Sequence, residues 1–179
     1  MNSNSIRATM AWVVLCILVP SLVHARSVDV NKATVSFLAT GPMGMKINGV
    51  THALRVSEDG KTLQVEVHLT SLKTGIELRD KHMRDKYLEV GKYPIAKLEV
   101  PVSSIHVPSK PSKTQGKVFL HGKTKSESFS YTVSPDGKQV HVHGELKLNM
   151  KDFGIEVPTY LGVTVKPEVT VQVDFDAKS

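Results

Sequence analysis

The chain has 179 residues, a formal net charge of +6, 40% hydrophobic residues and a single cysteine. One domain with its own hydrophobic core is expected at this length. The lysines are dispersed and aromatic residues make up only 6% of the chain, which argues against nucleic-acid binding, because that function needs a basic stripe. The charge is compatible with weak, transient attraction to an anionic membrane surface.

Residues 1–25 have the features of a cleaved export signal. A basic residue precedes an apolar run over 10–22, and a small-residue cleavage site follows at 23–25. The run is shorter than the roughly 20 apolar residues that a membrane-spanning helix needs. Cleavage there removes Cys16, so residues 26–179 have no disulfide, thiolate metal site or cysteine nucleophile. We expect residues 26–179 to form one secreted domain.

Alternation of apolar and polar residues predicts β-strands along most of this domain. The predicted strands are 34–39, 47–56, 63–69, 96–100, 116–121, 128–133, 140–148 and 169–175. Asp-Gly steps at 59–60 and 136–137 predict hairpin turns between alternating runs. Each clear strand has one apolar and one polar face, as antiparallel strands do. About eight antiparallel strands are therefore expected, in a barrel or in a two-sheet sandwich.

Segment 74–94 interrupts the strands. It carries two Arg-Asp pairs, at 79–80 and 84–85, around His82, and it ends in Tyr93-Pro94. Its pattern predicts a short helix near residues 76–90. We expect this segment to cover the mouth of a barrel.

The same segment resembles a known family. The pattern T-G-x-x-x-R-D-x-H-M that begins at Thr74, followed by K-Y-P at 92–94, is similar to the central signature of the YceI-like family. Two further elements, GKVFLHGKTK at 116–125 and MKDFGI at 150–155, resemble other motifs of that family. The resemblance implies an all-β, antiparallel eight-stranded lipocalin-like barrel, a periplasmic location, and binding of long apolar ligands such as polyisoprenoids.

A barrel of about eight strands can hold one small ligand in its interior. An inward apolar face predicts an apolar ligand, and methionines suit a chain-like one because their side chains adapt to irregular shapes. The candidate ligand-binding residues are Phe37, Met43, Met45, Met83, Tyr87, Tyr93, Phe129, Tyr131, Phe153 and Ile155.

Arg79, Asp80, His82 and Asp152 are interpreted as a polar clasp between the helix and neighbouring loops. Residues three or four apart share a helix face, and Asp152, just after a strong strand, can accept hydrogen bonds from turn amides or from Arg79. Recognition of a ligand head group is an alternative role for these residues. Catalysis by His82 beside a carboxylate is another alternative, but no nucleophile accompanies it.

His141 and His143 are two residues apart on one strand, so their side chains share a face. With Glu145 on the same face, they have the spacing of a zinc or copper site. That face is the polar one, because Val140 and Val142 point inward. Exposed histidines without a metal are the interpretation that we favour.

The sequence pattern predicts a secreted binding protein without enzymatic activity, cofactor or metal, as a monomer or homodimer. The resemblance adds a periplasmic location and the ligand class, so we expect the protein to sequester or carry a polyisoprenoid, an isoprenoid quinone or a fatty amide. Two alternatives stay open. One is a metal-binding or catalytic protein that uses His82 or the pair His141 and His143. The other is a cavity-free, stress-related barrel that acts through its surface.

Overall fold

The structure, a computed structural model, describes residues 26–28, 30–106, 110–160 and 163–178, so the predicted export signal lies outside the described residues. Helix α1 (Glu77–His82) continues into a π-helical turn, Met83–Tyr87, which confirms the helix predicted near residues 76–90. The strands are β1 (Arg26–Val28), β2 (Val30–Thr40), β3 (Lys46–Thr51), β4 (Leu54–Glu58), β5 (Thr62–His68), β6 (Ile95–Pro101), β7 (Ser112–Leu120), β8 (Lys123–Asp136), β9 (Gln139–Asn149), β10 (Thr159–Tyr160), β11 (Val163–Thr164) and β12 (Glu168–Lys178).

Ten of these strands form one antiparallel sheet, in the order β1-β4-β5-β6-β7-β8-β9-β12-β2-β3. β1 and β2 follow each other along the chain, yet β1 pairs with β4 whereas β2 pairs with β12. This double pairing brings the two sides of the sheet together in a nearly closed barrel. β10 and β11 form a separate small hairpin. The predicted all-β antiparallel barrel is confirmed.

The barrel has one strand more than the predicted eight. In the described part of the chain nine strands form the wall when β1 and β2 are counted as one, because the predicted strand 47–56 is divided into β3 and β4. The division lies at Thr51, whose side-chain oxygen accepts the Ala53 N–H at 3.1 Å. This hydrogen bond closes a local turn that competes with strand pairing. The Thr51 hydroxyl is also 2.6 Å from that of Ser71.

Both predicted hairpin turns are confirmed. In the turn between β4 and β5, Gly60 has a φ of +80° and the Asp59 carboxylate accepts the Lys61 and Thr62 N–H groups at 2.9 and 2.7 Å. These two hydrogen bonds hold the pKa of Asp59 below its ordinary value of 3.8, and the bond from Thr62 has the larger effect. The turn between β8 and β9 has Gly137 at a φ of +62°. A positive φ at glycine is what tight hairpin turns require.

The connections between antiparallel strands lie alternately at the two ends of the barrel. One end holds the connections from β2 to β3, from β5 to β6, from β7 to β8 and from β9 to β12. We call it the cap end because helix α1 lies in the connection from β5 to β6. The hairpin turns after β4 and β8 lie at the opposite end.

Two clusters of buried apolar side chains stabilise the two ends. Val56, Val65, Phe175 and Ala177 pack together toward the opposite end. Near the cap end the cluster consists of Val118, Leu148, Phe153 and Ile155.

We expect Phe153→Ala to lower the free energy of unfolding by about 3 kcal/mol, because Phe153 is 0% exposed and its removal leaves a void. Urea unfolding measures the change. Met43→Ala is the control, since Met43 is fully exposed and its truncation should stay within about 0.5 kcal/mol. A loss below about 1 kcal/mol for Phe153→Ala would show that this side chain does not anchor the cap end.

Candidate ligand-binding cavity

The interior of the barrel is not filled by its own side chains. It contains a cavity of about 1090 Å³ whose wall is predominantly apolar. Alternate residues of β12, from Val169 to Ala177, line it, as do inward residues of the other long strands. At about 3.3 Å per residue, the lining part of β12 spans about 26 Å along the strand. The cavity is therefore elongated.

Most of the predicted ligand-binding residues lie on the wall of this cavity. Phe129 and Tyr131 reach it from β8, Phe37 from β2, and Met83 and Tyr87 from the π-helical turn. Whether they contact a ligand stays a prediction. The predicted residues that line the cavity are Phe37, Met45, Met83, Tyr87, Phe129, Tyr131, Phe153 and Ile155.

Met43 and Tyr93 are placed elsewhere, so the expectation that they line the cavity is wrong. Met43 lies in a 3-10 turn, Pro42–Gly44, with a left-handed φ of 52°, which directs its side chain into solvent. Its exposed fraction is 105%. Tyr93 instead packs against His121 with the two rings tilted by 59° and their centroids 4.7 Å apart.

The cavity opens at the cap end, between the 3-10 turn Pro42–Gly44 and the start of α1. Three large apolar residues there both line the cavity and are largely exposed: Met45 at 52%, Ile76 at 54% and Leu78 at 64%. A residue with both properties lies at an opening. We call this opening the mouth.

Thr74 joins the first two residues of the predicted polar clasp. The Arg79 Nε donates to the Thr74 hydroxyl at 2.7 Å, and its Nη2 donates to the Thr74 carbonyl at 2.8 Å. The Asp80 carboxylate accepts the Thr74 N–H at 2.6 Å and also the Thr74 hydroxyl. Arg84 donates to the Leu72 carbonyl at 3.1 Å. These bonds anchor α1 to the preceding loop, and Thr74 is a partner that sequence reasoning missed, although it begins the motif.

Asp80 is buried, and burial by itself disfavours its charged form. The hydrogen bonds from Thr74 and the nearby charge of Arg84 outweigh that effect and hold the pKa of Asp80 below its ordinary value of 3.8. The carboxylate is therefore a charged structural anchor at neutral pH.

The other two members of the predicted clasp do not join it. Asp152 is exposed in the 3-10 turn after β9, Met150–Phe153, and makes no hydrogen bond with Arg79. His82 is exposed and lies on the cavity wall at the mouth. Its neighbour Asp80 is engaged with Thr74, so the two do not form an acid-base pair.

A second polar cluster, which the sequence did not indicate, closes the side of the cap end away from the mouth. His121 Nδ1 lies 3.2 Å from the Phe153 carbonyl oxygen, and its Nε2 lies 2.9 Å from a Glu89 carboxylate oxygen. Both partners are acceptors, so both bonds form together only when the ring carries two N–H groups. The hydrogen bond from Lys92 holds the pKa of Glu89 below its ordinary value of 4.5, and the bond from His121 adds a smaller effect in the same direction.

His141 and His143 face carboxylates on β12. His141 Nδ1 is 2.8 Å from Asp176, which also pairs with Lys32 at 3.2 Å, and His143 Nδ1 is 2.7 Å from Asp174. The hydrogen bond with His141 lowers the pKa of Asp176 most, and the hydrogen bond with Lys32 lowers it further. Within the ranges that the structure covers, no group of three or more His, Cys, Asp or Glu residues has the geometry of a metal site.

An antiparallel barrel with an elongated apolar cavity belongs to the class of barrels that enclose small ligands. Residues 27–177 match the model of the YceI-like domain, and the chain belongs to the YceI-like family. A UPF0312 protein of Pseudomonas syringae pv. tomato is 31% identical over 159 residues, which cover 85% of this chain and 73% of that protein. A UPF0312 protein of Pseudomonas putida strain F1 is 29% identical over 121 residues, 64% of this chain and 62% of its own length.

Solved structures with the same fold share little sequence with this chain. A polyisoprenoid binding domain from Saccharophagus degradans implicated in plant cell wall breakdown has a TM-score of 0.68 at 16% identity, over 87% of this chain and 99% of its own. BcnA of Burkholderia cenocepacia has a TM-score of 0.69 at 19% identity, over 84% of this chain and 100% of its own. These likenesses establish the fold. No helix in the described part of the chain is long and apolar enough to cross a membrane.

We expect Asp80→Asn to lower the free energy of unfolding at pH 7 by about 1–3 kcal/mol, because it removes a charge that Thr74 and Arg84 stabilise. The folded-state pKa is lowered, so this contribution is present above about pH 3.8 and is lost as the pH falls through the folded-state pKa. The difference between variant and unaltered protein should therefore shrink as the pH falls below 3.8 and through the folded-state pKa. Urea unfolding at a series of pH values measures it.

Asp85→Asn is the matched control, because Asp85 is an exposed carboxylate on the same segment. We expect it to change the free energy of unfolding by less than about 0.5 kcal/mol. An Asp80→Asn difference that is the same at pH 7 and at low pH would contradict the role of the charge.

Proposed function

We propose that this protein binds a long apolar molecule inside the barrel and carries or sequesters it. The single observation behind the proposal is the elongated apolar cavity of about 1090 Å³ that opens at the mouth. This volume is slightly above that of ordinary small-ligand pockets, which hold roughly 300–1,000 Å³. A chain-like ligand fits the length of such a cavity.

The driving force for binding is the removal of apolar surface from water. Each Å² of apolar surface buried contributes about 25 cal/mol, and an apolar chain enclosed by valine, leucine and phenylalanine side chains loses nearly all of its contact with water. Equilibrium binding of this kind needs no chemical step. A binding protein without enzymatic activity therefore accounts for the site.

The polar groups at the mouth indicate how the ligand is oriented. Thr74, Arg79, His82 and Lys86 contribute to the cavity lining at the cap end. A hydroxyl, carbonyl or amide group at one end of the ligand can keep hydrogen bonds with these residues or with water. We infer that the apolar chain enters first and that its polar end remains at the mouth.

The ligand class rests on the family and its structural neighbours. The Saccharophagus degradans neighbour is described as a polyisoprenoid binding domain. A polyisoprenoid is accordingly the first ligand that we propose, with an isoprenoid quinone or a fatty amide as chemically similar alternatives. The export signal predicted at residues 1–25 supports a periplasmic location for this activity.

The proposal is tested by filling the cavity. In Val171→Trp a bulky side chain replaces one that lines the cavity from β12. We expect at least a tenfold loss of affinity for geranylgeraniol, an isoprenoid alcohol, measured by titration calorimetry. The isoprenoid chain of the ligand and the indole ring of the new tryptophan would compete for the same space.

Thr170→Trp is the matched control. Thr170 is the preceding residue of the same strand and its side chain is on the opposite face of the sheet. We expect its affinity for geranylgeraniol to stay within about twofold of that of the unaltered protein, with both variants folded by circular dichroism. Equal affinities of the two variants, or no binding to the unaltered protein, would overturn the proposal.

A further inference from the structure

The mouth of the cavity is surrounded by exposed apolar side chains. Met43, Met45, Ile76 and Leu78 are 105%, 52%, 54% and 64% exposed, and we call them the apolar lip. In the described part of the chain six large hydrophobic residues are exposed, and the lip contains four of them. Contiguous exposed apolar side chains indicate an interaction surface, whereas isolated ones do not.

The lip is continuous with the cavity wall. Met45, Ile76 and Leu78 line the cavity as well as facing solvent, and Pro42 at the base of the 3-10 turn lines it too. An apolar chain that leaves the cavity therefore meets the lip before it meets water. Whatever covers the lip is in a position to exchange ligand with the barrel.

Positive charge flanks the lip on both sides. Lys46 pairs with Thr40 across the strands β2 and β3, and the Lys166 N–H donates to the Thr40 carbonyl at 2.8 Å, so both lysines lie beside the 3-10 turn. On the other side, Lys81 is exposed on α1, three residues after Leu78. These lysines place cations at the edge of an apolar surface.

Acidic residues near the lip do not cancel this charge. The segments 41–47, 73–86 and 156–167 together contain seven Lys and Arg residues and four Asp and Glu residues. Two of the four acids are engaged locally, Asp80 with Thr74 and Glu156 with Lys86 at 3.4 Å. The surface around the mouth is therefore net positive.

We propose that the apolar lip docks on an anionic lipid bilayer, with Met43, Met45, Ile76 and Leu78 inserted among the lipids and the flanking lysines at the head groups. This inference rests on the proposed function, because a bilayer is where a long apolar ligand is found. Apolar insertion combined with cation attraction is the usual basis of interfacial binding. Docking in this orientation joins the cavity to the hydrocarbon layer without a passage through water.

The charge around the lip favours a bilayer over a second copy of this chain. A two-fold dimer through the lip places the same surface on both partners, so it brings two net-positive surfaces together. Like charges across an interface are unfavourable. An anionic membrane surface attracts the same lysines.

A tryptophan reporter tests the docking. Residues 26–179 contain no tryptophan, so Met43→Trp adds a single fluorophore at the tip of the lip. We expect its emission to shift to shorter wavelength, and to be quenched by brominated lipid, with phosphatidylglycerol vesicles but not with phosphatidylcholine vesicles. Val50→Trp is the control, because Val50 is exposed on β3 but does not line the cavity.

Charge reversal tests the role of the lysines. We expect Lys46→Glu/Lys166→Glu in the Met43→Trp background to weaken binding to phosphatidylglycerol vesicles at least tenfold. Lys117→Glu/Lys125→Glu makes the same change in net charge at exposed positions on β7 and β8, and it should weaken vesicle binding less than threefold. Equal effects of the two pairs would overturn the proposal, since they would show attraction to the net charge alone.

Geranylgeraniol binding without vesicles separates this proposal from the proposed function. A protein that binds geranylgeraniol but shows equal emission shifts for Met43→Trp and Val50→Trp, or none, contradicts docking and leaves the proposed function intact. A protein that docks as expected but does not bind geranylgeraniol supports the lip as a membrane surface while the proposed function fails.

Discussion

Closure of the sheet around short apolar side chains is the constraint on which the rest of the structure depends. β1 and β2 follow each other along the chain and act as one strand of the wall. β1 pairs with β4 and β2 pairs with β12, and this double pairing holds the wall together. Many inward residues of the wall are valines, among them Val65, Val142 and Val171. Valine side chains are short, and the closed wall surrounds a cavity of about 1090 Å³ instead of a solid core.

That open interior assigns distinct tasks to the two parts of the cap end. One part is closed, because Phe153 and Ile155 are buried and His121 connects the Phe153 carbonyl to Glu89. Gly154, at a left-handed φ of 72°, ends the 3-10 turn between those two side chains. The other part is the mouth, where α1 is anchored by its bonds to Thr74 while its first apolar residues stay exposed. The mouth is therefore the entrance that we propose for a ligand.

The features that could be predicted from the sequence are those set by local pattern. Alternation and Asp-Gly turns predicted the strands and hairpins, and the polar segment after β5 predicted the helix. The alternating pattern also placed Phe37, Phe129 and Tyr131 on the inward face. Each of these depends on residues that are close in the chain.

The features that the sequence did not show depend on contacts between distant residues or on single dihedral angles. His121 contacts Glu89 and Phe153, which lie 32 residues before and after it in the chain. No local sequence pattern predicts these contacts. Met43 was expected inside the cavity because it is apolar, but its left-handed φ directs it outward. The break between β3 and β4 depends on one side-chain hydrogen bond of Thr51, which an alternating pattern does not reveal.

Mass spectrometry under non-denaturing conditions, on protein purified gently from its native host, tests the central claim most directly. The account predicts a discrete added mass that is extracted into organic solvent, because an apolar cavity of about 1090 Å³ retains the ligand that fills it. The formula of that mass identifies the ligand. A bare polypeptide mass that persists after incubation with isoprenoids and fatty amides would contradict the account and favour a barrel that acts through its surface.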